Sequence, residues 1–132
     1  MGNKYLCPKC RGRLDVHEYV AFTAQAKDGD RGLLLLSPHL GNYDVWHNDN
    51  FRYQQGDLVK YFCPICHKNL TAIEFHEHLV RIHMVDGDNI EHNVLFSGVA
   101  GEEATYKVRD DEIEPYGQHS NQYMQYFISA RM

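Results

Sequence analysis

The chain has no apolar run approaching the roughly 18 residues of a membrane span. Its longest, Leu33-Leu34-Leu35-Leu36, reads as one buried strand. The first residues, Met1-Gly2-Asn3-Lys4-Tyr5-Leu6, lack a signal peptide's apolar core, and Leu6 stands where a myristoylation motif needs Ser or Thr. The expectation is a soluble, cytoplasmic protein. Positive charge is short as well: 13 Lys and Arg stand against 18 Asp and Glu, a formal net charge of −5. Proteins held to phosphate by counterion release carry a basic face, so this balance argues against a general nucleic-acid binder. Enzyme signatures are missing too. There is no Gly-x-Ser-x-Gly, phosphate-binding loop or dinucleotide fingerprint, and His76-Glu77-His78 has the wrong spacing for a His-Glu-x-x-His zinc helix. No segment sustains a long amphipathic helical period.

What remains is a chain of 132 residues, 43% hydrophobic and 12% aromatic, enough for one domain or two small ones sharing a core. Charge is unevenly placed. Residues 1–66 carry a net +1 and residues 67–132 a net −6. Lys4, Lys9, Arg11 and Arg13 form a small basic cluster, and Asp110, Asp111, Glu112 and Glu114 an acidic one. Both read as solvated surface.

Every cysteine belongs to one of two matched blocks, Cys7-Pro-Lys-Cys-Arg-Gly-Arg-Leu14 and Cys63-Pro-Ile-Cys-His-Lys-Asn-Leu70. Two residues between cysteines let a tight turn aim both sulfurs at one ion. Proline fixes φ where that turn needs it, and the trailing Leu tucks beneath. Two such turns supply four thiolates, the tetrahedral set that selects Zn2+, one ion per chain; iron fits the same cage. Disulfides would need an oxidising compartment, and a thioredoxin-type site uses one such motif rather than two copies. The metal ligands are therefore expected to be Cys7, Cys10, Cys63 and Cys66. Four thiolates leave no position for an activated water, so the zinc is expected to be structural.

These blocks resemble the knuckles of the zinc-ribbon group, which rubredoxins share. The resemblance covers two stretches of eight residues and implies a short β-sheet beside them, but no particular activity. Many such knuckles carry Gly directly after the second Cys; here Arg11 and His67 stand there, leaving Gly12 to supply a left-handed residue in the first. The 52 residues between Cys10 and Cys63 imply strands beyond a simple hairpin.

The rest reads as mainly β with little helix: a zinc ribbon with an enlarged antiparallel sheet, then further hairpins. Strands are expected over residues 16–25 and 32–37 around Lys27-Asp28-Gly29-Asp30, at residues 43–47, and over residues 58–62, making a four- or five-stranded sheet within residues 13–62. Thr71-x-x-Glu74 has capping-box form and predicts a short helical turn. Residues 79–85 and 90–96 flank Asp86-Gly87-Asp88-Asn89 as a hairpin, and a further hairpin joins residues 94–97 to 105–109. The tail from Ser120 fits either a helix packing Tyr123, Met124 and Phe127 or an edge strand. Residues 1–70 form the knuckle-bearing unit and residues 71–132 an appendage on the same core. No repeat is visible beyond the knuckles.

Nine histidines invite a second site. If Gly87-Asp88 alone form the loop, His83 faces His92 across the hairpin, near enough to share a metal, with His76 and His78 nearby in sequence. His67 has no vacancy to fill at a four-sulfur site. The function expected is that of a domain with a structural four-cysteine zinc site, binding protein as an adaptor module. Its contact surface would draw on Tyr43, Trp46, Tyr53, Tyr116, Tyr123 and Tyr126. The alternatives are single-stranded nucleic-acid binding by the basic cluster and neighbouring aromatics, and a metalloenzyme built on His83 and His92.

Overall fold

Alternation of small or aliphatic with polar residues shapes the strands. In Tyr-Val-Ala-Phe-Thr-Ala-Gln, every second side chain (Val20, Phe22, Ala24) is buried. The computed structural model describes residues 3–110 and 112–131, with side chains as far as Phe127; Asp111 of the acidic cluster lies outside the described residues. Ten strands are described: β1 (Lys4–Leu6), β2 (Asp15–Val16), β3 (Tyr19–Gln25), β4 (Arg31–Leu36), β5 (Val45–His47), β6 (Lys60–Phe62), β7 (Leu79–Val85), β8 (Glu91–Ser97), β9 (Thr105–Arg109) and β10 (Glu112–Tyr116). A 3-10 turn (Ser120–Tyr123) leads into α1 (Met124–Arg131). The fold is mainly β, as expected. One antiparallel sheet has the order β1-β7-β8-β9-β10; the other is β2-β3-β4-β5, with β6 added on β3. That second sheet is the one expected within residues 13–62.

Both sheets contribute to one core. Phe22 and Leu34 of one meet Ile82, Met84, Val94 and Phe96 of the other, with Phe22 and Phe96 ring centroids 5.8 Å apart. A second cluster lies on the other side of the β7-β8-β9 sheet, where Tyr123 and Phe127 pack over Leu79, Leu95 and Tyr106. The tail is thus helical rather than an edge strand.

A repeat runs well beyond the knuckles, contrary to the sequence reading. β1 and its knuckle match β6 and its knuckle, and β3, β4 and β5 match β7, β8 and the start of β9 sixty positions later. Registers coincide: Gln25↔Arg31 corresponds to Val85↔Glu91, and Leu35↔Trp46 to Leu95↔Tyr106. The following loops match as well. Ser37 Oγ accepts the His39 N–H and Ser97 Oγ the Val99 N–H, and Gly41 and Gly101 both have positive φ. The first strands are exchanged: β1 pairs with β7 of the other half (Lys4↔Val85), and β6 with β3 (Lys60↔Gln25). An approximate two-fold relates the halves.

Two local expectations are corrected. Asp86 pairs with Ile90, so Gly87, Asp88 and Asn89 form a three-residue loop with Asn89 left-handed (φ 64°), as Gly29 is in the first hairpin. The extra loop residue moves the register by one and puts Met84 opposite His92 and His83 opposite Asn93. Thr71 starts no helix. It bridges to Val80, and its neighbours make only turns, in which the Ala72 carbonyl accepts the Phe75 and His76 N–H groups.

Candidate metal centre

Each knuckle is a closed turn. The Cys7 N–H donates to the Gly12 carbonyl at 3.0 Å and the Arg11 N–H to the Cys7 carbonyl at 2.9 Å. In the second copy, Cys63 N–H reaches the Lys68 carbonyl at 3.1 Å and His67 N–H the Cys63 carbonyl at 2.9 Å. Leu14 and Leu70 are buried beneath the turns, returning the chain alongside Tyr5 and Tyr61. The left-handed residues are Arg11 (φ 66°) and His67 (φ 67°), so Gly12 does not play that part. A Cβ there would stand 2.5 Å from Ile65 Cδ1 of the opposite knuckle, the tip of an exposed side chain.

The four sulfurs of Cys7, Cys10, Cys63 and Cys66 all lie within 4.8 Å of one another and could hold a metal ion. Cys7 to Cys66 and Cys10 to Cys63 are each 3.8 Å. A tetrahedron with metal–sulfur bonds of about 2.3 Å has edges of about 3.8 Å, so the donor set fits. Each half supplies two sulfurs, and the site sits on the approximate two-fold. Backbone N–H groups point at the sulfurs: Lys9 and Cys10 at Cys7 Sγ, Gly12 at Cys10 Sγ, Ile65 and Cys66 at Cys63 Sγ. Burial pushes the Cys63 thiol up, while the Lys68 N–H pulls Cys66 down. A cation among the sulfurs reverses the burial penalty, because a coordinating thiol is deprotonated outright.

Other residues singled out by sequence are not assembled into a second centre. His83 and His92 lie on opposite faces of the sheet. His83 Nδ1 is 2.8 Å from Arg11 Nη1, and His92 Nε2 is 2.9 Å from Asp86 Oδ2. His76 Nδ1 accepts the His78 N–H, and His78 Nδ1 lies 3.2 Å from the Tyr123 hydroxyl, itself donated to Glu102. Among the described residues, the cysteines are the only group of three or more His, Cys, Asp or Glu in metal range. The basic cluster is half neutralised: Arg11 pairs with Glu91 at 2.6 Å and Arg13 with Asp15 at 2.5 Å.

Of the candidate contact aromatics, Tyr123 is buried, the other tyrosines are partly buried, and Trp46 is exposed. A cleft of about 400 Å3 opens beside Tyr5, Leu36, Tyr43, Tyr53 and Tyr61. The hydroxyls of Tyr5 and Tyr43 bind the protein itself there, Tyr5 donating to the Pro38 carbonyl and Tyr43 meeting Thr105 at 2.9 Å. Among the described residues, no helix is long and apolar enough to cross a membrane. No protein-family model, curated protein or solved structure matches the chain.

Proposed function

We propose that Cys7, Cys10, Cys63 and Cys66 bind one structural Zn2+ in paired knuckles of zinc-ribbon type, and that the domain so held is a protein-binding, adaptor-like module. The supporting observation is the sulfur tetrahedron built by two matched knuckles from different halves. Four thiolates close the shell, so the ion contributes folding free energy rather than chemistry. Structural zinc supplies about 10–16 kcal/mol of apparent binding energy near neutral pH. Here that energy pins residues 7–10 to residues 63–66. Protein binding is favoured by Trp46, Leu33 and Val16 standing exposed on one sheet, since surface apolar clusters mark interaction sites.

The test is elemental analysis of protein purified without added metal, with unfolding followed in the presence and absence of chelator. About one zinc per chain and collapse on chelation are expected. Iron would replace structural zinc with a rubredoxin-like redox reading, and two disulfides without metal would overturn the centre itself.

A further inference from the structure

The two halves differ in what covers them. In the second half the outer face of the sheet is closed at its Leu79, Leu95 and Tyr106 end. Leu79, Leu95 and Tyr106 are fully buried, and the Phe127 ring lies 4.5 Å from that of Tyr106. The first half presents the same face at the same register through Tyr19, Leu35 and Trp46. There Trp46 is 44% exposed, Leu33 51% and Val16 53%. After β5 the chain turns to the inner side instead. Phe51 is buried in the inter-sheet core against Gly32, where a Cβ would stand 2.6 Å from its ring. β5 also ends its sheet, whereas its counterpart β9 is capped by β10. The strand and aromatic helix that finish the second half have no counterpart in the first.

We propose that the outer face of β3, β4 and β5 docks a short amphipathic helix of a partner protein, presenting two aromatic side chains one turn apart. Tyr123 and Phe127, four residues apart and so on one side of their helical segment, already seal the matching face. The open face offers Tyr19, Ala21, Thr23, Leu33, Leu35 and Trp46, with charge confined to its Gln25 end, where Arg31 and Lys60 flank that residue and Arg31 lies over the Phe62 ring. Its complement is an apolar stripe, the helix-in-groove mode of recognition. The proposal rests on the protein-binding reading and adds the partner's chemistry.

Trp46 is the only tryptophan in the chain, so its fluorescence reports on this face alone. The probe is a 15-residue side-chain-crosslinked helix carrying Tyr and Phe four residues apart among Ala, Gln and Lys, titrated into the metal-loaded protein. The expected result is a saturable blue shift, weakened at least tenfold by replacing both aromatics with Ala or by Leu33→Lys in the protein. Leu33 is exposed, so that variant is expected to fold, as circular dichroism would verify. Absence of a shift up to about 1 mM peptide, a limit corresponding to roughly −4 kcal/mol, overturns the proposal, as does equal binding by the Ala control. A shift that grows with protein concentration alone, tracking a dimer in sedimentation, gives the face to a second copy and also overturns it. Oligothymidylate is titrated in parallel. Steeply salt-dependent quenching by it would overturn the protein-binding reading as a whole, whereas failure of both probes overturns only the helix.

Discussion

His67 holds a backbone position that glycine would fill at lower cost. With φ at 67° and its N–H tied to the Cys63 carbonyl, it cannot relax without opening the knuckle. A side-chain-bearing residue pays about 1–2 kcal/mol in that region. His67→Gly is therefore expected to be more stable than His67→Ala by about 1 kcal/mol, measured by denaturant unfolding of the metal-loaded protein. Asp15 illustrates a different residue-level effect. The Arg13 guanidinium holds its carboxyl at about 2, below the ordinary 3.8, while Asp15 Oδ1 also accepts the Tyr5 N–H. A lowered carboxyl contributes stability that is fully present above about pH 4 and lost as pH falls through about 2. The site is partly exposed, so the contribution is about 1 kcal/mol or less. Asp15→Asn should cost that much at pH 7, measured by denaturant unfolding of the two metal-loaded proteins.

At the scale of elements, equivalent strands sit in unequal surroundings. Tyr106 on β9 is wholly buried between Leu95 and the Phe127 ring, whereas Trp46, its match on β5, keeps 44% of its surface and touches chiefly Tyr19, ring centroids 4.8 Å apart. Tyr106→Ala should cost about 3–5 kcal/mol, the range for emptying a buried aromatic site. Trp46→Ala should cost roughly 1 kcal/mol or less, as surface substitutions do. Parallel chemical denaturation of the two variants checks the contrast. Similar losses would mean that Trp46 is covered in solution.

For the whole molecule, strand exchange and the shared centre act together. β1 completes the sheet of the second half and β6 that of the first, so neither sheet is whole without both ends of the cysteine pairs. Removing the ion is expected to unfold both sheets in one cooperative transition. Circular dichroism and Trp46 fluorescence should lose signal together on titration with chelator. Cys7→Ser and Cys63→Ser, equivalent by the two-fold and equally buried, should lower stability by amounts matching to about 1 kcal/mol, each loss reflecting forfeited metal affinity.

The cysteine cluster and the β class were legible in the chain itself, because each is local chemistry. The two-residue spacing dictates a turn that aims two sulfurs together, and alternation dictates strands. The repeat was not legible past the knuckles. Residues 19–47 and 79–107 share only five identities (Val20, Asp28, Leu35, Ser37 and Gly41 in the first copy), since a strand requires an alternating pattern rather than particular residues. Pairing of His83 with His92 failed on a single residue of loop length, because hairpin register follows the turn and a one-residue slip reverses every face. Which strand completes which sheet, and which apolar face α1 leaves bare, depend on packing between segments far apart in sequence. Those were decided only when the two halves closed around one core.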